Sequence, residues 1–217
     1  MSVFAGHYGS GKTNIAINYA LMLKGEGNNV TLADLDIVNP YFRSKDSEKM
    51  LEEKGVRLIS SEFANSNVDL PSLPADTYSI IDSHDVFAVL DVGGDDRGAL
   101  ALGRYVPSIK DENDYDMFFV INKYRPLTKT PELTIEVMQE IEQAAGIKFT
   151  AIVNNSNLGR ETTAEDVEAS ISYAEEVSRL AGIPVAFTTV NEEIFDAVKA
   201  DNKLPISLFV EQSWQKK

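Results

Sequence analysis

Residues Gly6-His7-Tyr8-Gly9-Ser10-Gly11-Lys12-Thr13 fit the pattern G-x-x-x-x-G-K-[ST]. The residue types suit one kind of chemistry. Glycines let the backbone turn successive N–H groups inward around a polyphosphate. A helix opening at the end of the loop adds its partial positive charge. Lys12 would reach the β- and γ-phosphates, and the Thr13 hydroxyl would ligate Mg²⁺. Two acidic segments further along supply what such a site still lacks: Leu32-Ala33-Asp34-Leu35-Asp36 and Leu90-Asp91-Val92-Gly93-Gly94-Asp95. An aspartate at the carboxyl end of a strand can hold Mg²⁺, directly or through water, or orient an attacking water. Asp36 and Asp91 are therefore candidate metal residues, and Asp36 and Lys12 are the candidates for catalysis. Asp91 and Gly94 form a D-x-x-G, in which the glycine amide can sense a γ-phosphate. The plain alternative for each aspartate is a helix cap or a turn residue.

These residues need strands and helices to bring them together, and the chain supplies both in alternation. Apolar, β-branched runs lie at 3–5, 30–35, 56–60, 86–90, 117–121, 149–153 and 184–189. They are continuous rather than alternating, as in strands buried on both faces. Helical spacing occupies 13–25, 131–145 and 163–181, with Pro131 opening the second and Gly146 and Gly182 closing the second and third. A loop and then a short helix near 75–82 are expected within 61–85, and a helix followed by a polar loop between 98 and 114. The pattern predicts one domain over 1–217, an α/β protein of three α/β/α layers around a mostly parallel sheet. The glycine-rich loop directly follows the first run and opens the first helix.

Composition removes other chemistries. With no cysteine, the chain has no disulfide scaffold, thiolate zinc site, Cys-ligated iron–sulfur cluster or cysteine nucleophile. Its two histidines, His7 and His84, do not make a His-rich metal site. A net charge of −14 argues against sequence-indifferent DNA binding, which depends on Lys and Arg displacing counterions. Ten acidic and two basic residues within 161–201 leave that stretch at −8, which reads as a solvated face or a dock for a basic partner. The start lacks a basic n-region and a long apolar h-region, so the expected location is the cytoplasm. The tail from Leu204, with Leu208, Phe209, Val210 and Trp214, has only Lys216-Lys217 as basic content. It is expected to dock on the domain rather than to hold a membrane. Tyr41-Phe42, after the first acidic segment, is either a partner surface or an anchor for the next helix.

Together, the glycine-rich loop, the D-x-D and the D-x-x-G resemble the MinD/ParA class of P-loop ATPases, the SIMIBI branch that includes cobyrinic-acid-synthase-type enzymes. The resemblance covers nearly the whole chain. It implies ATP and Mg²⁺ as ligands, with Gly6 to Thr13 around the phosphates. It implies switch I at the D-x-D, with Asp36 helping to position the hydrolytic water, and Walker B with switch II at Asp91 and Gly94. The family's adenine is usually read by an Asn at the end of a later strand, where Asn154-Asn155 stand here, and segments near 188–191 commonly close over the base.

Two departures matter. The class carries K-G-G-x-x-K-[ST], whose first lysine contacts nucleotide in the partner subunit. Here His7 takes that lysine's position and Tyr8 that of the first paired glycine. An ATP-dependent homodimer is thus open, and His7, mostly neutral at pH 7, replaces the lysine only in part. The guanine motif [NT]-K-x-D is also missing: Asn122-Lys123-Tyr124-Arg125 puts Arg where the Asp belongs, so adenine is favoured and Asn122 stays open for base or switch contacts. The bridging cysteines of nitrogenase-iron-protein-like members are absent. Three functions follow from the resemblance: a slow switch ATPase acting on a protein or metalloenzyme client; an ATP-dependent small-molecule kinase or dethiobiotin/cobyrinic-acid-type ligase; and a positioning ATPase on DNA or membrane, which the acidic charge disfavours.

Overall fold

The structure is a computed structural model and describes residues 1–36, 45–60, 76–81, 83, 85–94 and 96–209. The expectations for Tyr41-Phe42, for the loop 61–75, for Asp95 and for the tail from 210 onward lie outside the described residues.

Among the described residues, eight strands form one sheet: β1 (Ser2–Ala5), β2 (Val30–Asp34), β3 (Arg57–Ile59), β4 (Phe87–Asp91), β5 (Asp116–Ile121), β6 (Ala151–Asn154), β7 (Val185–Asn191) and β8 (Lys203–Ile206). Their spatial order is β3-β2-β4-β1-β5-β6-β7-β8, and every pairing is parallel. The helices are α1 (Lys12–Gly25), α2 (Lys45–Glu53), α3 (Asp76–Ile81), α4 (Asp96–Gly103), α5 (Val106–Glu112), α6 (Pro131–Ala145), α7 (Ala164–Glu168) and α8 (Ile171–Ala181). This is the three-layer α/β/α P-loop fold that the alternation of patterns predicts.

The period-two geometry of strands sorts the apolar runs onto two faces. Val3 and Ala5 join Leu90, Met117, Phe119, Ile121 and Ile152 in a core closed by α4, α5, α6 and α8. Phe4 joins Val30, Leu32, Val89, Phe118, Val120 and Val153 in a second core, closed largely by α1 through Ile15, Ala16, Ile17, Ala20 and Leu23. Both faces of β1 are thus dry, which explains a run with no polar alternation. The central strand then delivers its carboxyl end, and the loop that follows, to the middle of the sheet edge where ligands of such folds collect.

Three elements differ from expectation. The helix expected over 163–181 is two helices, α7 and α8, because Ser170 sits between them with its hydroxyl donating to Val167 O at 2.7 Å and accepting from Asn154 Nδ2 at 2.9 Å. The segment between 98 and 114 is mostly helical, as α4 and α5, with the polar loop reduced to its end. β8 has no counterpart in the sequence reading: four residues including Pro205 carry little strand signal, and proline is tolerated there because β8 pairs on one side only. The chain after β8 docks on α1. Asn18 Nδ2 donates to Ser207 O at 2.8 Å, Ser207 N–H to Asn18 Oδ1 at 2.9 Å, and Phe209 N–H to Asn14 Oδ1 at 3.0 Å. Among the described residues no helix is long and apolar enough to cross a membrane.

Candidate functional site

The loop between β1 and α1 is built as an anion site. Gly11 caps α1 in the left-handed region, at φ 91°, and no side chain caps the helix. The first N–H groups of a helix lack intrahelical acceptors, so they remain for a ligand. A side chain at Gly11 is doubly excluded: by its φ, and because a Cβ would collide with the Asn155 amide. Ser10 is buried, and its hydroxyl has no hydrogen-bond partner among the described residues. Lys12 is buried at the loop's end, with Nζ donating to His7 O at 3.3 Å.

The two acidic strand ends meet beside it. Parallel pairing sets Asp34 on β2 directly against Asp91 on β4. Thr13 Oγ1 donates to Asp91 Oδ2 at 2.6 Å. Asp91 is 3% exposed, and its other oxygen, Oδ1, has no hydrogen-bond partner among the described residues. Burial raises the Asp91 pKa to about 7; the neighbouring Asp34 and Asp36 charges push the same way, while Lys12 and the Thr13 bond oppose them. Asp36 donates its backbone N–H to Asp34 Oδ1 at 2.9 Å. Its carboxylate faces the D-x-x-G: a Cβ on Gly93 would stand 3.2 Å from Asp36 Oδ1. Gly94 packs against the loop itself, where a Cβ would lie 2.6 Å from Tyr8 Cα and 2.8 Å from Lys12 Nζ.

A divalent cation fits this donor set. A buried carboxylate with an unpartnered oxygen, bonded to a hydroxyl and crowded by two more carboxylates, is relieved by positive charge. Thr13 and Asp91 would hold Mg²⁺, with Asp36 near enough to support it. Mg²⁺ takes few protein ligands and shares phosphate oxygens and waters. Among the described residues, no group of three or more His, Asp or Glu is placed to hold a metal ion by itself.

The asparagines proposed for the base are engaged elsewhere. Asn154 is fully buried, with Nδ2 on Ser170 and Oδ1 accepting from the Ser156 N–H at 3.2 Å and hydroxyl at 2.7 Å. Asn155 donates Nδ2 to Ser10 O at 2.6 Å and accepts from Thr189 Oγ1 at 2.5 Å. It clamps the glycine-rich loop to β7. Asn122 is also fully buried, with Oδ1 accepting from the N–H groups of Tyr124 and Asn157. In this structure each of the three amides is hydrogen-bonded within the protein. The physical reason is shared: each sits at or just after a strand end, where buried loop N–H and C=O groups need partners. His7 is half-buried with Nδ1 2.9 Å from Tyr8 O. Burial lowers its pKa, helped by the charges of Lys12 and Arg125 and opposed by the bond to Tyr8 O and by Glu140. Two residues were missed by sequence reasoning. Asp34 becomes a neighbour of Asp91 only through strand register. Arg125 reaches the loop across the sheet edge, and its single sequence signal was a broken guanine motif.

The fold and this site define a P-loop nucleotide-binding protein. The sequence matches CbiA, the CobQ/CobB/MinD/ParA nucleotide binding domain, over residues 1–180, and the chain belongs to that family. No curated protein matches it. Among solved structures it is similar to the cell division protein FtsY of Thermotoga maritima, with 20% identity and a TM-score of 0.60 over 88% of this chain and 62% of that one. It is also similar to the signal recognition particle receptor FtsY of Elizabethkingia anophelis, with 19% identity and a TM-score of 0.58 over 93% and 62%. A third likeness is to the Signal Recognition Particle 54 kDa protein of Aeropyrum pernix K1 in complex with GDP, with 14% identity and a TM-score of 0.55 over 86% and 40%. These are likenesses of fold, and the chain spans less than two thirds of each protein's length. Family and fold are those of P-loop nucleoside triphosphatases of the SIMIBI class.

Proposed function

We propose that the chain binds ATP with Mg²⁺, hydrolyses it slowly, and acts as a nucleotide switch on a protein or metalloenzyme client. In this reading Lys12 and the loop amides stabilise charge on the phosphates. Thr13 and Asp91 hold the metal, which supplies charge neutralisation, and Asp36 orients water. The observation that carries the reading is the seat of Gly94 on Tyr8 and Lys12. A triphosphate held by Lys12 competes for the space that this backbone fills, so occupancy of the site and the position of the D-x-x-G are coupled. A client that binds one position better than the other is then sensitive to the nucleotide. Adenine is preferred over guanine because no Asp follows the Asn122-Lys123 pair.

The test is calorimetry and turnover with ATP and GTP in parallel. Lys12→Ala should weaken ATP binding at least about 100-fold, the order expected for loss of a preorganised charge contact. Unchanged binding overturns the phosphate site. Asp36→Ala should bind ATP and turn it over at least about tenfold more slowly. Turnover by the unmodified protein without a second substrate supports the switch, whereas turnover only with a carboxylate substrate favours a ligase. Tighter binding of GTP overturns the adenine preference.

A further inference from the structure

Arg125 has no part in the reading above, yet it is one of the most deliberately placed side chains at the site. Its loop, between β5 and α6, is hydrogen-bonded throughout. Asn122 O accepts from Arg125 N–H at 3.1 Å and from Thr128 Oγ1 at 2.6 Å, and Thr128 N–H donates to Arg125 O at 3.1 Å. Asn122 Oδ1 receives Tyr124 N–H at 3.0 Å, and Asn122 Nδ2 reaches Asn157 O at 3.2 Å. From this frame Arg125 Nε–H donates to Gly9 O at 2.9 Å, a contact between residues 116 apart in the chain. The guanidinium lies along the open face of Gly9, where a Cβ would stand 3.6 Å from Nε and 3.8 Å from Cζ. The Gly9–Ser10 peptide is held at its other end too, because Ser10 N–H donates to His7 O at 3.1 Å. His7 and Tyr8 occupy the positions where the K-G-G-x-x-K-[ST] pattern has its first lysine and glycine.

We infer that Arg125 is a positioning residue of the phosphate site, supplied within one subunit: it fixes the Gly9–Ser10 peptide and brings to the loop a permanent positive charge that His7 does not provide. The inference rests on the nucleotide reading above. The physical argument has two parts. A trans peptide points its C=O and N–H in opposite directions. Anchoring Gly9 O through Arg125, and the next carbonyl, Ser10 O, through Asn155, therefore sets the orientation of the loop amides before ligand arrives. Donors set in advance need no reorganisation during reaction. The second part is charge. Arg stays ionised when half-buried, and in such surroundings its field on a nearby polyanion is screened less than at an open surface. Lysine lacks the planar fork that bonds a carbonyl while lying flat on a glycine.

The full chain carrying Arg125→Ala or Arg125→Lys tests this. In nucleotide-free protein, the Ser10 amide should exchange with solvent at least about tenfold faster in the Ala variant. With Mg²⁺ and ATP, kcat should fall about thirtyfold or more in that variant, while KM moves less than about threefold, the pattern of an interaction made mainly in the transition state. Guanidinium ion at concentrations far below unfolding should restore part of the Ala variant's turnover, and Arg125→Lys should fall between the two. Turnover per subunit of the unmodified protein should not change on dilution. Unchanged Ser10 exchange and kcat in Arg125→Ala overturn the inference, as does turnover per subunit that rises with protein concentration, because the charge then arrives from a second copy. If Lys12→Ala abolishes binding while Arg125→Ala matches the unmodified protein, only this inference falls. If the unmodified protein binds neither ATP nor GTP, the nucleotide reading itself falls and takes this one with it.

Discussion

The proposed phosphate side of the site rests on eight contiguous residues, Gly6 to Thr13, whereas the proposed base side draws on loops after β5, β6 and β7, which are far apart in sequence. On the proposed phosphate side the backbone would do the binding. Local rules suffice: a strand must end, a glycine must take φ 91°, and a helix must start without a cap. On the base side the available amides are spent on holding loops together. Asn154 fixes the α7–α8 junction, Asn155 ties the glycine-rich loop to β7, and Asn122 joins two neighbouring loops. Recognition that uses the main chain survives this demand for internal hydrogen bonds. Recognition that relies on a side-chain amide competes with it.

The contrast can be broken or sharpened by experiment. Asp91→Asn should have the largest effect, lowering Mg²⁺-dependent turnover at least about 100-fold. The same residue predicts a pH dependence of the ligand-free protein. Its carboxyl titrates near 4 when unfolded and near 7 when folded. Between these values the folded state binds the extra proton, so the stability it contributes is full below about pH 4 and is lost as pH rises to about 7. Thermal melts of the apo protein should show that decline, and Asp91→Asn should flatten it. A pH profile that is the same in Asp91→Asn and in the unmodified protein would contradict the raised pKa of this carboxyl.

Asn155→Ala should come next, at about 1–3 kcal/mol of stability, because Ser10 O and Thr189 Oγ1 lose a buried partner. It should weaken ATP and inorganic tripolyphosphate by similar factors. Loss of ATP affinity alone, with tripolyphosphate unaffected, would return Asn155 to the base and erase the contrast. Tyr8→Gly should do least. Its side chain is 51% exposed, so restoring the family's glycine should shift stability by no more than about 0.5 kcal/mol and leave tripolyphosphate binding intact, as chemical denaturation and calorimetry can check.

Much of this was legible in the chain. The continuous apolar runs marked seven of the strands, since burial on both faces of a parallel sheet leaves no polar alternation to confuse them. Pro131 and Gly146 marked the ends of α6 to the residue. Elements that depend on distant partners were not legible. The break at Ser170 answers to Asn154, sixteen residues away, and β8 is a strand because β7 offers it an edge.

Local sequence alone marked the loop proposed to hold phosphates, because glycine conformation, the helix start and the place of Lys12 are properties of adjacent residues. Only the assembled sheet decided what surrounds that loop. Register put Asp34 against Asp91, one of whose buried oxygens has no partner among the described residues. The neighbouring strands β5 and β6 brought Arg125 and Asn155 onto successive carbonyls of the loop. Such contacts join residues more than a hundred positions apart, and their energies depend on burial, which no stretch of sequence carries by itself.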